Sequence, residues 1–213
     1  MGFIPDLDIL AAFTLAALVL IFTPGPDMAF FLGQTVAAGR TRGFAAMLGA
    51  CTGLFGHAML AAFGLSALLL ASATAFTVAK IAGVAYLVWL AVQAIRHGSA
   101  LTLSPENGER RSLGKVFAMG IAINLLNPKI VMFFLTFLPQ FVSADDPEAS
   151  RKLLFLGLYF IAVAIPTCSL LIVAAGRFTR AIRRSPRIMR VIDCLFASLM
   201  AAFALRLLFA RTN

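Results

Sequence analysis

Two short runs hold the residues best suited to chemistry. Thr23-Pro24-Gly25-Pro26-Asp27 and Asn124-Leu125-Leu126-Asn127-Pro128-Lys129 each set helix breakers and one ionisable group inside an otherwise apolar stretch. Proline lacks an N–H and clashes with the preceding turn, so it favours the first position of a new helix. Asn127 is placed to cap a helix in which Pro128 is first and Lys129 second. Thr23 or Gly25 can cap one that begins at Pro24 or Pro26. Each break then turns free backbone N–H groups, with a partial positive charge, toward the interior. Such ends suit an anion, for example the carboxylate of an amino acid.

Lys129 is the sharper signal. A cation at a helix N-terminus opposes the dipole, and near mid-span it costs about 2.5–3.5 kcal/mol on insertion scales. Substrate binding explains that placement; snorkelling to the interface or a standing pair with Asp27 are the bland explanations. Asp27 suits a helix start simply as a dipole partner, and is equally a candidate contact for substrate or proton. His57 falls about mid-span in a second segment without other charges, four residues after Gly53 and eight after Gly49. Its titration range suits a proton relay, and a core histidine bonded to a neighbour is the alternative. Asn124 shares a helix face with Asn127 and is placed to line the same cavity. Gln34 and Gln140 are weaker candidates. Lys80 and Arg206 lie near span ends, where long cations snorkel, and Asp193 falls among interfacial arginines.

The elements that position these groups are membrane helices. Of 213 residues, 61% are hydrophobic and 13% charged, with mean hydropathy +0.95. A soluble domain is roughly half apolar and about a quarter charged, so a water-exposed surface is excluded. A spanning helix needs about 20 mainly apolar residues, and six stretches qualify: about 9–39, 44–70, 77–95, 116–141, 153–175 and 191–210. The first is too long for one straight crossing, as a break at Pro24–Pro26 predicts. Loops after spans one, three and five are basic, with Arg40, Arg42, Arg96, Arg110, Arg111, Lys115, and then Arg177 to Arg190. The other side carries Asp6, Asp8, Asp145, Asp146 and Glu148 beside Arg151 and Lys152. The positive-inside rule puts the basic loops in the cytoplasm and both termini outside, in the periplasm of a bacterium. The net charge of +9 thus reports topology and lipid contact, not nucleic acid.

Six spans divide into three and three, and an odd number per half predicts inverted repeats, about 1–98 and 113–213, in a single transmembrane domain. Pro26-Asp27-Met28-Ala29-Phe30-Phe31-Leu32 is echoed by Pro128-Lys129-Ile130-Val131-Met132-Phe133-Phe134-Leu135 with one residue inserted. Paired interruptions in corresponding positions of two halves point to a transporter's binding site. The fold expected is therefore an all-α membrane protein of six spans with broken helices at spans 1 and 4.

Several functions lack their residues. Gly108 to Gly114-Lys115-Val116 has the wrong spacing for a phosphate loop and no Ser or Thr after the lysine. No HExxH, no GxSxG and no clustered carboxylates for metal-assisted hydrolysis are found, so no catalytic residue, metal ligand or cofactor is assigned and an enzyme is not expected. An ion gradient would supply the energy. Cys51, Cys168 and Cys194 form neither a disulfide framework nor a zinc site and are expected to pack as small apolar side chains. The N-terminus has no basic region of a cleaved signal. Export of a metal cation, or a non-transporting scaffold or sensor, are the alternative functions.

Thr23-Pro24-Gly25-Pro26-Asp27 with Gly39-Arg40, Gly43, Gly49 and Gly53 resembles the amino-terminal half of the lysine exporter / homoserine–threonine resistance family. Leu126-Asn127-Pro128-Lys129 and Leu138-Pro139-Gln140-Phe141 resemble its second half, and Gly83, Tyr86, Leu87 and Leu90 its third span, with Ala91 in place of an expected glycine. The resemblance implies a bacterial inner-membrane exporter of amino acids or derivatives, driven by the proton gradient and working as a homodimer. The opposite charges of Asp27 and Lys129 favour a small zwitterion as cargo.

Overall fold

The structure, a computed structural model, describes residues 5–65, 111–142 and 146–175, with isolated helical positions between 81 and 96 and between 190 and 205. The third and sixth predicted spans therefore lie largely outside the described residues, as do Lys80, Asp193, Arg206, Asp145, Arg110, residues 177–187 and the quoted third-span positions. Within the described residues the architecture is helical, without strands.

The breaks fall where the prolines put them. Helix α1 (Leu7–Phe22) ends at Thr23, whose extended backbone is the conformation a residue before proline adopts. Gly25 is likewise extended, and α2 (Pro26–Ala38) starts with Pro26 in its first turn. The prediction that left Pro24 or Pro26 as the start thus resolves to Pro26. Gly39, at φ 93°, then turns the chain directly into α3 (Arg40–Met59), which continues as π-helix over Leu60–Leu65. That left-handed backbone excludes most side chains, so the tight α2–α3 turn depends on glycine.

The second break repeats the pattern. Ser112 caps α4 (Leu113–Leu125), and Asn127 caps α5 (Pro128–Met132), its Oδ1 accepting from the Lys129 N–H at 3.1 Å. The chain then tightens and loosens through a π-turn, Phe133–Phe137, and a 3₁₀ turn, Leu138–Phe141. The last long helix that the described residues trace continuously is α6 (Ala149–Val173). By length and apolarity, Arg40–Gly64 and Ala149–Val173 can each cross a membrane alone; 25 residues rise about 37 Å, against about 30 Å of hydrocarbon. The other two candidates are bent pairs, Leu7–Phe22 with Pro26–Ala38 at 56° and Leu113–Leu125 with Pro128–Phe141 at 51°.

Helices α3 and α4 cross with their backbones almost in contact. A Cβ at Gly49 would sit 2.1 Å from the Phe117 carbonyl oxygen, and one at Gly120 would sit 2.3 Å from that of Ala46. Small residues permit this approach, as the Gly49–Gly53 spacing predicts. Two apolar clusters flank the crossing. One joins α1, the segment after α5 and α6 through Phe13, Phe133, Phe134, Phe137 and Phe160, with Phe133 centred 4.8 Å from Phe160 and 4.9 Å from Phe137. The other joins α2, α3, α4 and α6 through Met28, Phe31, Met47, Val116 and Ile172.

The two ends of the bundle differ in charge. At one, Arg40 donates to the Val173 carbonyl at the end of α6 (2.9 Å), and Arg42 to the Arg111 carbonyl before α4 (3.2 Å). The ends that lead into three predicted basic loops therefore meet. At the start of α6, Lys152 bonds Asp146 and Arg151 bonds Glu148. The hydrogen bond from Lys152, before all other influences, holds the Asp146 carboxyl below its usual range.

Candidate functional site

The two breaks meet. Asn127, capping α5, donates from Nδ2 to Asp27 Oδ1 at 3.0 Å, and the same oxygen accepts from the Met28 N–H at 2.9 Å. Lys129 is buried, with Nζ 3.9 Å from Asp27 Oδ1. Its hydrogen bonds go instead to the end of α1, to the carbonyls of Thr23 (2.9 Å) and Leu20 (3.3 Å). The last carbonyls of a helix carry partial negative charge and lack partners inside it. Lys129 therefore opposes the dipole of its own short helix but satisfies that of α1. Only the tertiary meeting of the two breaks brings these carbonyls to Lys129, so its own helix carries no local sign of them.

The neighbours are shaped to the same purpose. Thr23 is buried and its hydroxyl donates back to the Val19 carbonyl at 2.7 Å, leaving its own carbonyl for Lys129. Gly25 lies directly against the ammonium, since a Cβ there would be 2.9 Å from Nζ and 3.2 Å from Asp27 Oδ1. Pro24 is buried, whereas Pro26 and Pro128 are exposed and act through the backbone as helix starters.

Asp27, Lys129 and Asn124 line one cavity of about 40 Å³, room for a few water molecules. Its remaining wall is apolar and bridges both clusters, including Leu20, Met28, Phe31, Leu54 and Phe160. Cys51 and Cys168 also line it; they were expected to serve as packing alone. The contribution of α6 through Phe160, Ala164 and Cys168 had no signal in the sequence, because these are ordinary apolar positions of a long helix.

His57 is brought to Asn124, with Nε2 3.4 Å from the Asn124 carbonyl oxygen and the ring stacked on Phe134 at 5.7 Å. It does not line the cavity. Gln34 and Gln140 do not line it either; Gln140 Nε2 donates to the Thr136 carbonyl at 3.0 Å.

A family model described as LysE type translocator matches residues 18–211. The chain belongs to this family. A LysE-type translocator is a membrane transporter, and the apolar helices agree with a multi-pass membrane protein. The translocator is 32% identical over 193 residues to a homoserine/homoserine lactone efflux protein of Salmonella typhi, covering 88% of this chain and 90% of the relative. It is 31% identical over 188 residues, with the same shares, to the protein of that name in Salmonella typhimurium. An uncharacterized membrane protein of Vibrio cholerae serotype O1 is 32% identical over 199 residues, 91% of this chain and 93% of its own length. No solved structure matches the chain.

Proposed function

We propose that this translocator exports small amino acids or their derivatives, such as homoserine, its lactone or threonine, in exchange for protons. The observation that carries the reading is the meeting of a carboxylate and an ammonium, Asp27 and Lys129, at two helix breaks in a cavity with otherwise mostly apolar walls. Relatives named for homoserine and homoserine lactone efflux support the cargo class. A zwitterion offers the complementary pair. Its ammonium fits Asp27 and the carbonyls of Leu20 and Thr23 that Lys129 now occupies, and its carboxylate fits Lys129.

In this reading the two bent pairs are interrupted spans, and the chain is one domain of two inverted three-span repeats. Rocking of one repeat against the other exposes the chamber to each side in turn. Asp27 or His57 carries the proton. The basic loops face the cytoplasm across a bacterial inner membrane, both termini face the periplasm, and two copies pair as a homodimer. Metal export would need several carboxylates, thiols or imidazoles converging on one point, and no group of three or more His, Cys, Asp or Glu placed to hold a metal ion is found among the described residues.

Purified protein in proteoliposomes is expected to move homoserine or threonine in response to an imposed pH gradient. Cells overproducing it should tolerate added amino acid better and accumulate less. Lys129→Ala is expected to abolish the flux while the protein still inserts. No gradient-dependent flux for any amino acid tried would refute the exporter, and full activity in Lys129→Ala would favour a scaffold or sensor.

A further inference from the structure

Asn124 is fully buried, yet neither Oδ1 nor Nδ2 of its side chain has a hydrogen-bond partner among the described residues. Buried polar groups are nearly always satisfied, and each exception asks for an explanation. The backbone of the same residue is well held. Its carbonyl accepts from the Asn127 N–H at 3.0 Å and faces His57 Nε2 at 3.4 Å. The side chain lies against Gly53, where a Cβ would be 2.7 Å from Oδ1. So Asn124 is fixed at its root, seated against a glycine that leaves it room, and part of the wall of the chamber that holds Asp27 and Lys129.

We infer that the Asn124 carboxamide reads the side chain of the cargo and selects amino acids bearing a hydroxyl or ester oxygen over aliphatic ones of the same size. The inference rests on the exporter reading, in which Asp27 and Lys129 take the charged ends of the cargo. That leaves a neutral third group for what distinguishes one amino acid from another. A carboxamide both donates and accepts, so it pairs with a hydroxyl in either sense and with a lactone carbonyl through Nδ2. An aliphatic side chain would leave both amide atoms unpaired in a largely apolar wall. A site built to hydrogen-bond an oxygen rejects the analogue lacking it far more strongly than an apolar pocket rejects an added hydroxyl.

The test is the ratio of fluxes for two isosteric pairs, homoserine against norvaline and threonine against valine, in proteoliposomes. The wild-type protein is expected to favour the hydroxylated member of each pair by on the order of tenfold or more. Asn124→Leu should bring both ratios close to one, because hydroxylated cargo loses more than aliphatic cargo. Asn124→Ser, smaller and still able to donate and accept, should retain the direction of the preference and guards against misfolding of the leucine variant. A wild-type ratio near one overturns the inference without any variant, and so does an equal fall for both members of a pair in Asn124→Leu. Absence of flux for all four in the wild-type protein instead refutes the exporter reading itself.

Discussion

Lys129 occupies the second position of a five-residue helix and is buried there, a placement that its own segment cannot justify. What holds it is the end of another helix, and what makes room for it is Gly25. This defines a sensitive position that carries no charge itself. Gly25→Ala places a methyl group 2.9 Å from Nζ. The obstacle is the tip of a flexible side chain, and the extended backbone of residue 25 is open to alanine, so folding is expected to survive. The methyl group displaces the ammonium from the position in which it would receive the cargo carboxylate, and hydrogen bonds to charged groups are worth about 1.5–3 kcal/mol. Cargo affinity should fall on the order of tenfold or more with surface expression unchanged, checked by concentration-dependent uptake into proteoliposomes. Of this site the charged pair and the Asn127 cap are legible in the sequence, because prolines and capping residues act locally. The carbonyl ligands are not, since backbone atoms look alike at every position until the fold brings two breaks together.

The helices explain why the chamber keeps its shape. Because α3 and α4 touch backbone to backbone at Gly49 and Gly120, no rotamer change can accommodate a larger residue at either position. The same contact sets Gly53 against Asn124, so the crossing also seats a chamber residue. Gly49→Ala is expected to destabilise the protein by about 1–3 kcal/mol or more, read as a lower melting temperature in detergent. Gly33, in the interior of α2, offers the matched control, for nothing stands within 4 Å of its would-be Cβ. There alanine should be neutral or stabilising by about 0.5–1 kcal/mol. An equal loss at both positions would contradict the crossing as described. Spacing alone places Gly49, Gly53 and His57 on one face, but not the partner; the close approach to Phe117 and Asn124 depends on how α4 docks. The sequence likewise signals breaks at Pro26 and Pro128 through the chemistry of proline, whereas the π-turns at Leu60–Leu65 and Phe133–Phe137 arise in runs with no local marker.

At the scale of the molecule, the charges of the described residues separate along the bundle. Arg40 and Arg42 tie the start of α3 to the end of α6 and the approach to α4, while Asp146, Glu148, Arg151 and Lys152 gather where α6 begins. The 25 residues of the apolar α6 rise about 37 Å, enough to cross about 30 Å of hydrocarbon and so to hold these groups at opposite membrane faces. Arginine and lysine at cytoplasmic loops set orientation, and acidic residues contribute little to it. The arginine-rich end should therefore face the cytoplasm and the mixed-charge end the periplasm. Cys51, Cys168 and Cys194 can be replaced by alanine to clear the background, and a single cysteine introduced at Thr41 or Arg151, both exposed. A membrane-impermeant maleimide applied to intact spheroplasts is expected to label Arg151→Cys, and to label Thr41→Cys after the membrane is opened. The reverse pattern would place the arginine-rich end in the periplasm and overturn the orientation proposed here. Labelling of both from outside would separate the basic end from the cytoplasm and remove the electrostatic basis for the orientation.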